Sequence, residues 1–565
     1  MDTHLRAGLI GALGGLVSSF ALFATVTKNP AVVLLGGLIG AAYWLAFNSM
    51  SEGYVGGCMR AAALGTPLWA VLSIIVFPLL GGAGPQWTHD GMQRRLPALG
   101  GWILYGAALG LLTEAIDALA IWRLGRVPIA RAAEVEAKQI LILGGGFAGM
   151  YTAENLERLF GADRSVRLTL VSDTSALLFT PMLPEVAGGS LEPNHISSPL
   201  RSALRRTEVV RGLAERIDLE RRCVSLACEE GSSNGHPREF RYDQLVLALG
   251  SKANYMGIAG VEKSALNFKR LIDAIQIRNH VIEAFERADR ESEGRSRAER
   301  LTFVVAGGGF AGTELAGALN DFARGIVADY PNLRGEEVRV VLVHSHDRIL
   351  PELSDSLAAY AQRRLTERGV LFELNAHVSE FRPGVVVLEG GKEIASQTLV
   401  WTAGTKPCTL LDPHRVKHDK RGAVLADPTL AVPGYPGVWA LGDCAAITDA
   451  RSGKTYPPTA QFAQRQSRTL AANIQAHLRG LPLKKFQFES LGSFCVVGYH
   501  TACAELSLPF ARHKSVRFSG LPAWFLWRTV YLFKLPGVER KLRVMVDWTM
   551  ELFFPRDIAQ TIDLE

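Results

Sequence analysis

The hexapeptide GGGFAG occurs twice in this chain, at 144–149 and at 307–312. Each copy follows a short apolar run (Lys138–Leu143, Leu301–Ala306) and opens a segment with helical apolar spacing. A strand, a glycine loop and a helix, in that order, are the setting in which GxGxxG binds a dinucleotide. Gly144 and Gly307 allow the tight turn, Gly146 and Gly309 let a pyrophosphate approach the backbone, and Gly149 and Gly312 let helix pack on strand. Phe147 and Ala148 fill the first helical turn, whose dipole turns its positive end to the phosphates. An acid at the end of the next strand can bond a ribose hydroxyl. Asp173 takes that place after Val166–Val171, whereas His344 takes it after Val338–Val343. Without a carboxylate there, repulsion of a 2′-phosphate is lost, so the second site leaves a 2′-phosphorylated nucleotide open.

Further segments organise the same region. Tyr242–Ser251 and Thr398–Gly404 read as strands that end in glycine, at Gly250 and Gly404. Gly437–Ala445 sets Gly442 and Asp443 after a strand. Two fingerprints in one chain imply two nucleotides facing each other, as in flavin-dependent disulfide-reductase-like enzymes. The expected fold is an α/β protein with two Rossmann-like dinucleotide-binding domains. The first is discontinuous, 139–255 and 397–480, and 256–396 is inserted as the second. The charged run Glu286–Arg300 reads as a solvated segment.

These motifs, taken with three more, resemble type II NADH:quinone oxidoreductases over residues 138–565. Leu178–Arg201 is similar to that family's flavin-adjacent segment, Pro457–Gln466 (PPTAQFAQRQ) to its quinone-site motif, and Ala523–Asp557 to its membrane-anchoring tail. The resemblance implies FAD in the first domain, NADH in the second, and a membrane quinone that takes two electrons after hydride passes from NADH to FAD, without proton pumping. Residue by residue, Gly144, Gly146, Gly149, Asp173 and Asp443 would hold FAD, and Gly307, Gly309 and Gly312 the NADH pyrophosphate. Glu314 matches the acid at the nicotinamide–flavin junction, and Ala460 and Gln461 match the flavin's quinone side. Arg465 stands where Gln is frequent, and His344 where an acid is common, so NADPH stays open beside NADH.

Composition separates the front from the rest. The chain has 61 Lys and Arg against 55 Asp and Glu, a balance too mild to predict a nucleic-acid partner. Residues 1–125 contain few of these charges and four apolar stretches, 5–27, 31–50, 58–80 and 97–122. Each has the roughly 20 residues that a bilayer-crossing helix needs. Gly8, Gly11, Gly14 and Gly15, with Gly36, Gly37 and Gly40, suit close helix packing. Basic residues are in excess on the side of the N-terminus and the 126–138 linker. That bias predicts a multi-pass protein of the inner (cytoplasmic) membrane with its catalytic domain facing the cytoplasm. Glu114 and Asp117 read as interfacial acids facing the helix bundle rather than a proton or quinol path.

At the far end, 481–565 reads as a membrane-contacting region. Its basic residues interleave with Trp524, Phe525, Trp527, Tyr531 and Phe533, and Lys534 is expected to snorkel toward headgroups. Cys223 and Cys228 have the spacing of a redox pair but point to opposite faces of a strand. His344 and His346 lack a third ligand for zinc. Three rival functions remain: sulfide:quinone oxidoreduction through Cys408 and Cys444, another FAD-dependent NAD(P)H oxidoreductase, and a membrane redox sensor whose front senses the membrane or binds a partner. The quinone, the physiological partner and a homodimer stay open.

Overall fold

The computed structural model describes residues 3–26, 29–47, 53–86, 89–124, 137–161, 163–227, 238–408, 410–411, 415–449, 451–507 and 515–560. The chain divides into two compact units, Met1–Arg131 and Ala132–Glu565.

The front unit is helical. Helices Thr3–Thr25 and Ala31–Phe47 pack backbone to backbone: a Cβ on Gly15 would stand 2.2 Å from the Gly36 carbonyl oxygen, and one on Gly11 2.3 Å from that of Gly40. A helical run from Gly53 to Leu80, π-helical over Trp69–Val76, meets helix His89–Leu124 in the same way through Gly57 and Gly110. Gly8 departs from the expected packing stripe, with open space where a side chain would sit. Three helices are long and apolar enough to cross a bilayer, Gly8–Thr25, Gly56–Leu80 and Arg94–Asp117. The fourth is shorter, 17 residues at Ala31–Phe47, or about 25 Å at 1.5 Å per residue. Four spans were expected; among the described residues, three long helices and one short one are found. Glu114 is buried among the helices, against Gly57.

The second unit is built on two five-stranded sheets, each parallel throughout. In the first, the order is Val438–Ala440, Gln244–Leu247, Lys138–Leu143, Val166–Ser172, Glu208–Arg211. In the second it is Leu266–Asn267, Thr398–Trp401, Thr302–Ala306, Arg339–His344, Val370–Leu374. Each fingerprint leaves the central strand of its sheet, the place where such folds bind nucleotides. The three inner strands of each sheet are mostly buried, which is why they read as unbroken apolar runs without alternation.

Three expectations about this unit need correction. Thr398–Trp401 pairs with Thr302–Ala306 in the second sheet, so the chain returns to the first domain after residue 401 rather than at 397. Its return passes through Thr405–Pro407, antiparallel to Ser251–Ala253. The charged run is not merely solvated. Glu286–Arg290 ends helix Leu271–Arg290, and Arg297 is 5% exposed, paired with Glu337 at 2.7 Å. Periodicity could not reveal this, since burial of a charge depends on a partner 40 residues away. Finally, the tail aromatics divide: Trp524 and Trp527 are core residues and Tyr531 is half-buried, while Phe525 and Phe533 are exposed.

The C-terminal region holds a three-stranded antiparallel sheet, Gly492–Val496, Ala502–Ser507 and Ser515–Gly520, then helices Leu521–Lys534 and Val538–Met550. Their inner faces join the core of the second domain through Trp527, Val544 and Trp548. They also clasp the Leu178–Arg201 segment. Asp547 meets His195 Nδ1 at 2.6 Å, and Trp548 Nε1 donates to Glu185 at 3.2 Å.

Candidate functional site

The glycines of each fingerprint fall into two physical kinds. Gly144 and Gly307 have φ of +108° and +114°, a region that disfavours any side chain. Gly149 and Gly312 would drive a Cβ to 1.8 Å and 1.9 Å from the carbonyl oxygens of Gly144 and Gly307. The fold itself therefore requires these four. Gly146 and Gly309 are different: both have φ −75° in extended backbone, which any residue adopts. A Cβ on Gly146 would meet nothing within 4 Å, and one on Gly309 only Glu352 Oε1 at 3.7 Å. Each caps the helix that follows, Phe147–Phe160 or Phe310–Ile326. The space a side chain would fill thus lies over a helix N-terminus, a cradle shaped for a phosphate. The residues present fit two bound dinucleotides.

Around the first cradle, Ala148 and Gly442 approach closely, 3.0 Å from a Cβ on Gly442, and the Gly442 N–H donates to Gln466 Oε1 at 2.9 Å. Asp443 Oδ2 accepts from Ser251 Oγ at 2.7 Å, and Lys269 Nζ donates to the same hydroxyl. Burial holds the Lys269 ammonium below its ordinary range, opposed by Asp443. Gly250, with φ +69°, turns the chain just before this group. Asp173 is exposed; burial raises the Cys408 thiol above its ordinary value, with Lys252 and Lys269 opposing and Asp173 and Asp443 adding to it. Gly404 sits beside the Asn254–Met256 loop at the crossing between domains. Lys269, Ser251 and Gln466 were not singled out from sequence. Ser251 and Gln466 lie inside the motifs Tyr242–Ser251 and PPTAQFAQRQ, whereas Lys269 carried no signal.

Glu314 lies on helix Phe310–Ile326, where its Oε1 accepts the Val496 N–H at 3.0 Å. Burial pushes its carboxyl up to about 8, the Val496 bond opposing and Glu185 adding to it. Glu185 is raised to about 8 as well, by burial, with Arg528 opposing. Both carboxyls line a cavity of about 40 Å³, together with Val496, Trp527, Arg528 and Arg556, room for roughly two or three waters. Arg528 and Arg556 bind Glu551 at 2.8 and 3.1 Å. Aromatic contacts link the first fingerprint to this group: Phe147 to Phe179 at 5.8 Å, then Phe179 to Tyr531 at 6.0 Å.

Gln461 begins helix Ala460–Leu478 together with Ala460, and its Oε1 accepts from Ser490 Oγ and the Leu491 N–H. Arg465 is exposed, with its guanidinium over the Phe488 ring. The 488–496 segment thus touches Gln461 and Arg465 at one end and Glu314 at the other. Lys534 is half-buried, and burial lowers its ammonium below the ordinary range, with Arg465 adding to the effect. Cys444 is fully buried, donates to the Leu247 and Leu441 carbonyls, and is pushed up to about 12 by burial. Held protonated, this thiol lacks the thiolate form in which cysteine reacts. Cys228 lies outside the described residues. His344 accepts the Gly308 N–H on Nδ1 at 3.0 Å.

Comparison with known proteins gives these features a family. The Pyridine nucleotide-disulphide oxidoreductase family model matches residues 138–467, and the NDH2 C-terminal domain matches 491–557. A type II NADH:quinone oxidoreductase of Mycobacterium tuberculosis is 31% identical over 439 residues, covering 75% of this chain and 90% of that protein. A probable NADH dehydrogenase of Dictyostelium discoideum is 30% identical, covering 76% of this chain and 92% of that one. The solved structure of NDH2 from Plasmodium falciparum shares the fold at TM-score 0.67 and 18% identity, across 75% of this chain and all of the other. The sulfide:quinone oxidoreductase of Aquifex aeolicus shares it at TM-score 0.56 and 19% identity, across 74% of this chain and 96% of that one. Paired cradles and matches that run through the C-terminal region to 557 have one common account: the chain belongs to the type II NADH:quinone oxidoreductases of the pyridine nucleotide-disulphide oxidoreductase family.

Proposed function

We propose that this chain oxidises NADH with a membrane quinone, FAD resting in the first cradle and the nicotinamide nucleotide in the second. The observation that carries the reading is the pair of open glycines, Gly146 and Gly309, each over a helix N-terminus where only a ligand needs the room. FAD supplies two-electron chemistry when bound. The protein does the rest. Asp443, Ser251 and Lys269 form a polar wall at the first site. Glu314 holds a proton at neutral pH beside the junction of the two sites, and the cavity behind it offers water from which that proton is replaced. The N-terminus of helix Ala460–Leu478, with Gln461, presents a positive dipole end on the quinone side. Steady-state NADH oxidation by the purified full chain with a quinone acceptor tests this. Flavin-loaded protein without quinone-dependent turnover would overturn it.

Two membrane contacts complete the proposal. The front helices cross the bilayer, oriented by their basic excess with the catalytic unit on the cytoplasmic side. The C-terminal helices lie on it: Leu542, Met545, Val546 and Met550 form an exposed apolar stripe on Val538–Met550, beside exposed Phe525, Phe533, Phe553 and Phe554. The stripe faces away from buried Val544 and Trp548, the arrangement of an interfacial helix. Changing Val546 and Phe553 to Glu should lower turnover with a long-chain quinone dissolved in vesicles by at least about tenfold. Turnover with a water-soluble analogue should hold. An equal loss with both acceptors would count against an interfacial role.

A further inference from the structure

One side-chain amide on the acceptor side of the first domain is held in a single orientation. Gln461 is half-buried in the first turn of helix Ala460–Leu478. The Leu491 N–H stands 3.2 Å from its Oε1. A backbone N–H can only donate, so the amide atom opposite it must be the oxygen; reversing the amide would set two donors face to face. Ser490 Oγ donates to the same oxygen at 3.1 Å. That hydroxyl already accepts the Gly492 N–H at 3.2 Å, which leaves its own proton for Gln461 or for the Gly492 carbonyl at 3.4 Å. Both donors are committed to Oε1, and the NH2 group is left over. Among the described residues Nε2 has no hydrogen-bond partner, and it is not one of the buried unpartnered atoms, so it is open to a ligand.

The turn that carries these donors is set by the C-terminal sheet. Gly492 has φ +129°, and a Cβ there would stand 2.1 Å from the Glu505 carbonyl oxygen, so the position demands glycine. It opens the Gly492–Val496 strand, where it pairs with Leu506. At the other end of that strand the Val496 N–H holds Glu314. Ser490 itself is exposed, and its hydroxyl bonds only Gln461 and the Gly492 backbone. The backbone of the turn is therefore required by the fold, whereas the hydroxyl at 490 acts on Gln461.

We propose that Ser490 is a positioning residue which, with the Leu491 N–H, holds the Gln461 amide with its NH2 group outward, and that this orientation makes the acceptor site select quinone over quinol. The proposal rests on the reading of Gln461 as lying on the quinone side. A quinone presents carbonyl oxygens, which accept from Nε2. In the reaction NADH and one proton from the medium become NAD⁺, and the quinone gains two electrons and two protons, so both carbonyls become hydroxyls. A hydroxyl brings a proton that the fixed NH2 group cannot accept, and the bond made by the substrate is weakened in the product. The same device keeps a membrane rich in quinol from blocking the site.

Steady-state kinetics of the full-length, flavin-loaded chain with a short-chain benzoquinone, alone and with the corresponding quinol as inhibitor, test this. In the wild type the inhibition constant for quinol should exceed the quinone KM by at least about tenfold. Ser490→Ala should narrow that ratio by at least about threefold, the scale of one neutral hydrogen bond, through a higher quinone KM with kcat held within about twofold. Ser490→Thr retains the hydroxyl and should retain the ratio. Gln461→Glu is nearly isosteric and still accepts from Ser490 and Leu491, but it turns an acceptor outward, so quinol should now bind better than quinone. Gln461→Met, with neither donor nor acceptor, replaces it if the Glu variant does not hold flavin, and should raise the quinone KM. A wild-type ratio near one, or an unchanged ratio in Ser490→Ala, would overturn the proposal alone. A quinone KM untouched by substitution of Gln461 would overturn the quinone-side reading with it.

Discussion

Replacing Gly146 by valine is expected to give a folded but colourless protein. The backbone there has φ −75°, and an added Cβ would meet no protein atom within 4 Å. Neither strain nor clash opposes the change, so thermal stability and far-ultraviolet circular dichroism should match the wild type. What the valine fills is the approach of a pyrophosphate to the helix N-terminus. Flavin absorbance should therefore vanish, and quinone-dependent turnover should fall below about 1% of wild type, since the cofactor carries the chemistry. Gly149→Val provides the contrast, because its Cβ would stand 1.8 Å from the Gly144 carbonyl oxygen, and it should fail to fold. Gly309→Val should keep the flavin and weaken NADH binding by roughly a hundredfold. Retained flavin in Gly146→Val would sink the assignment of the first cradle.

Glu314→Gln should lower kcat by about a hundredfold, the usual scale for a lost proton donor, with flavin content unchanged. The wild-type rate should decline on the alkaline side with a midpoint near the value to which burial lifts this carboxyl, about 8; in the Gln variant that limb should be absent. Stability supplies a readout independent of turnover. The folded value lies above the ordinary carboxylate value of 4.5, so the native state holds a proton that the unfolded chain has released. The stabilising contribution is complete below the ordinary value and is lost as pH rises through the folded one. The Tm of the wild type should thus fall between about pH 5 and about pH 8 more steeply than that of Glu314→Gln. Parallel slopes would remove Glu314 from the role of proton holder. Glu185, across the same cavity and also raised, adds a slope common to both proteins.

Much of this architecture was legible in the residues because it rests on local rules. A glycine that must turn with positive φ, or let a helix touch a strand, is set by its own neighbours in sequence, and four such positions, with Gly146 and Gly309 between them, announced two nucleotide domains. The apolar front was equally plain, because crossing a bilayer demands a length of unbroken apolar chain. What the tertiary structure alone decided involves partners far apart in sequence. Thr398–Trp401 reads as a strand from its residues, but which sheet it enters depends on pairing with 303–306. Arg297 is buried because Glu337 meets it. The tail separates into core Trp527 and Trp548 and an exposed Leu542–Met550 stripe only once the second domain and Leu178–Arg201 are packed against it. The same is true of Glu314: its type and place follow from the motif, but the proton it holds follows from burial in the folded chain, to which Glu185 adds and which the Val496 bond opposes. Charge state and strand partnership are set by desolvation and contact across the whole chain.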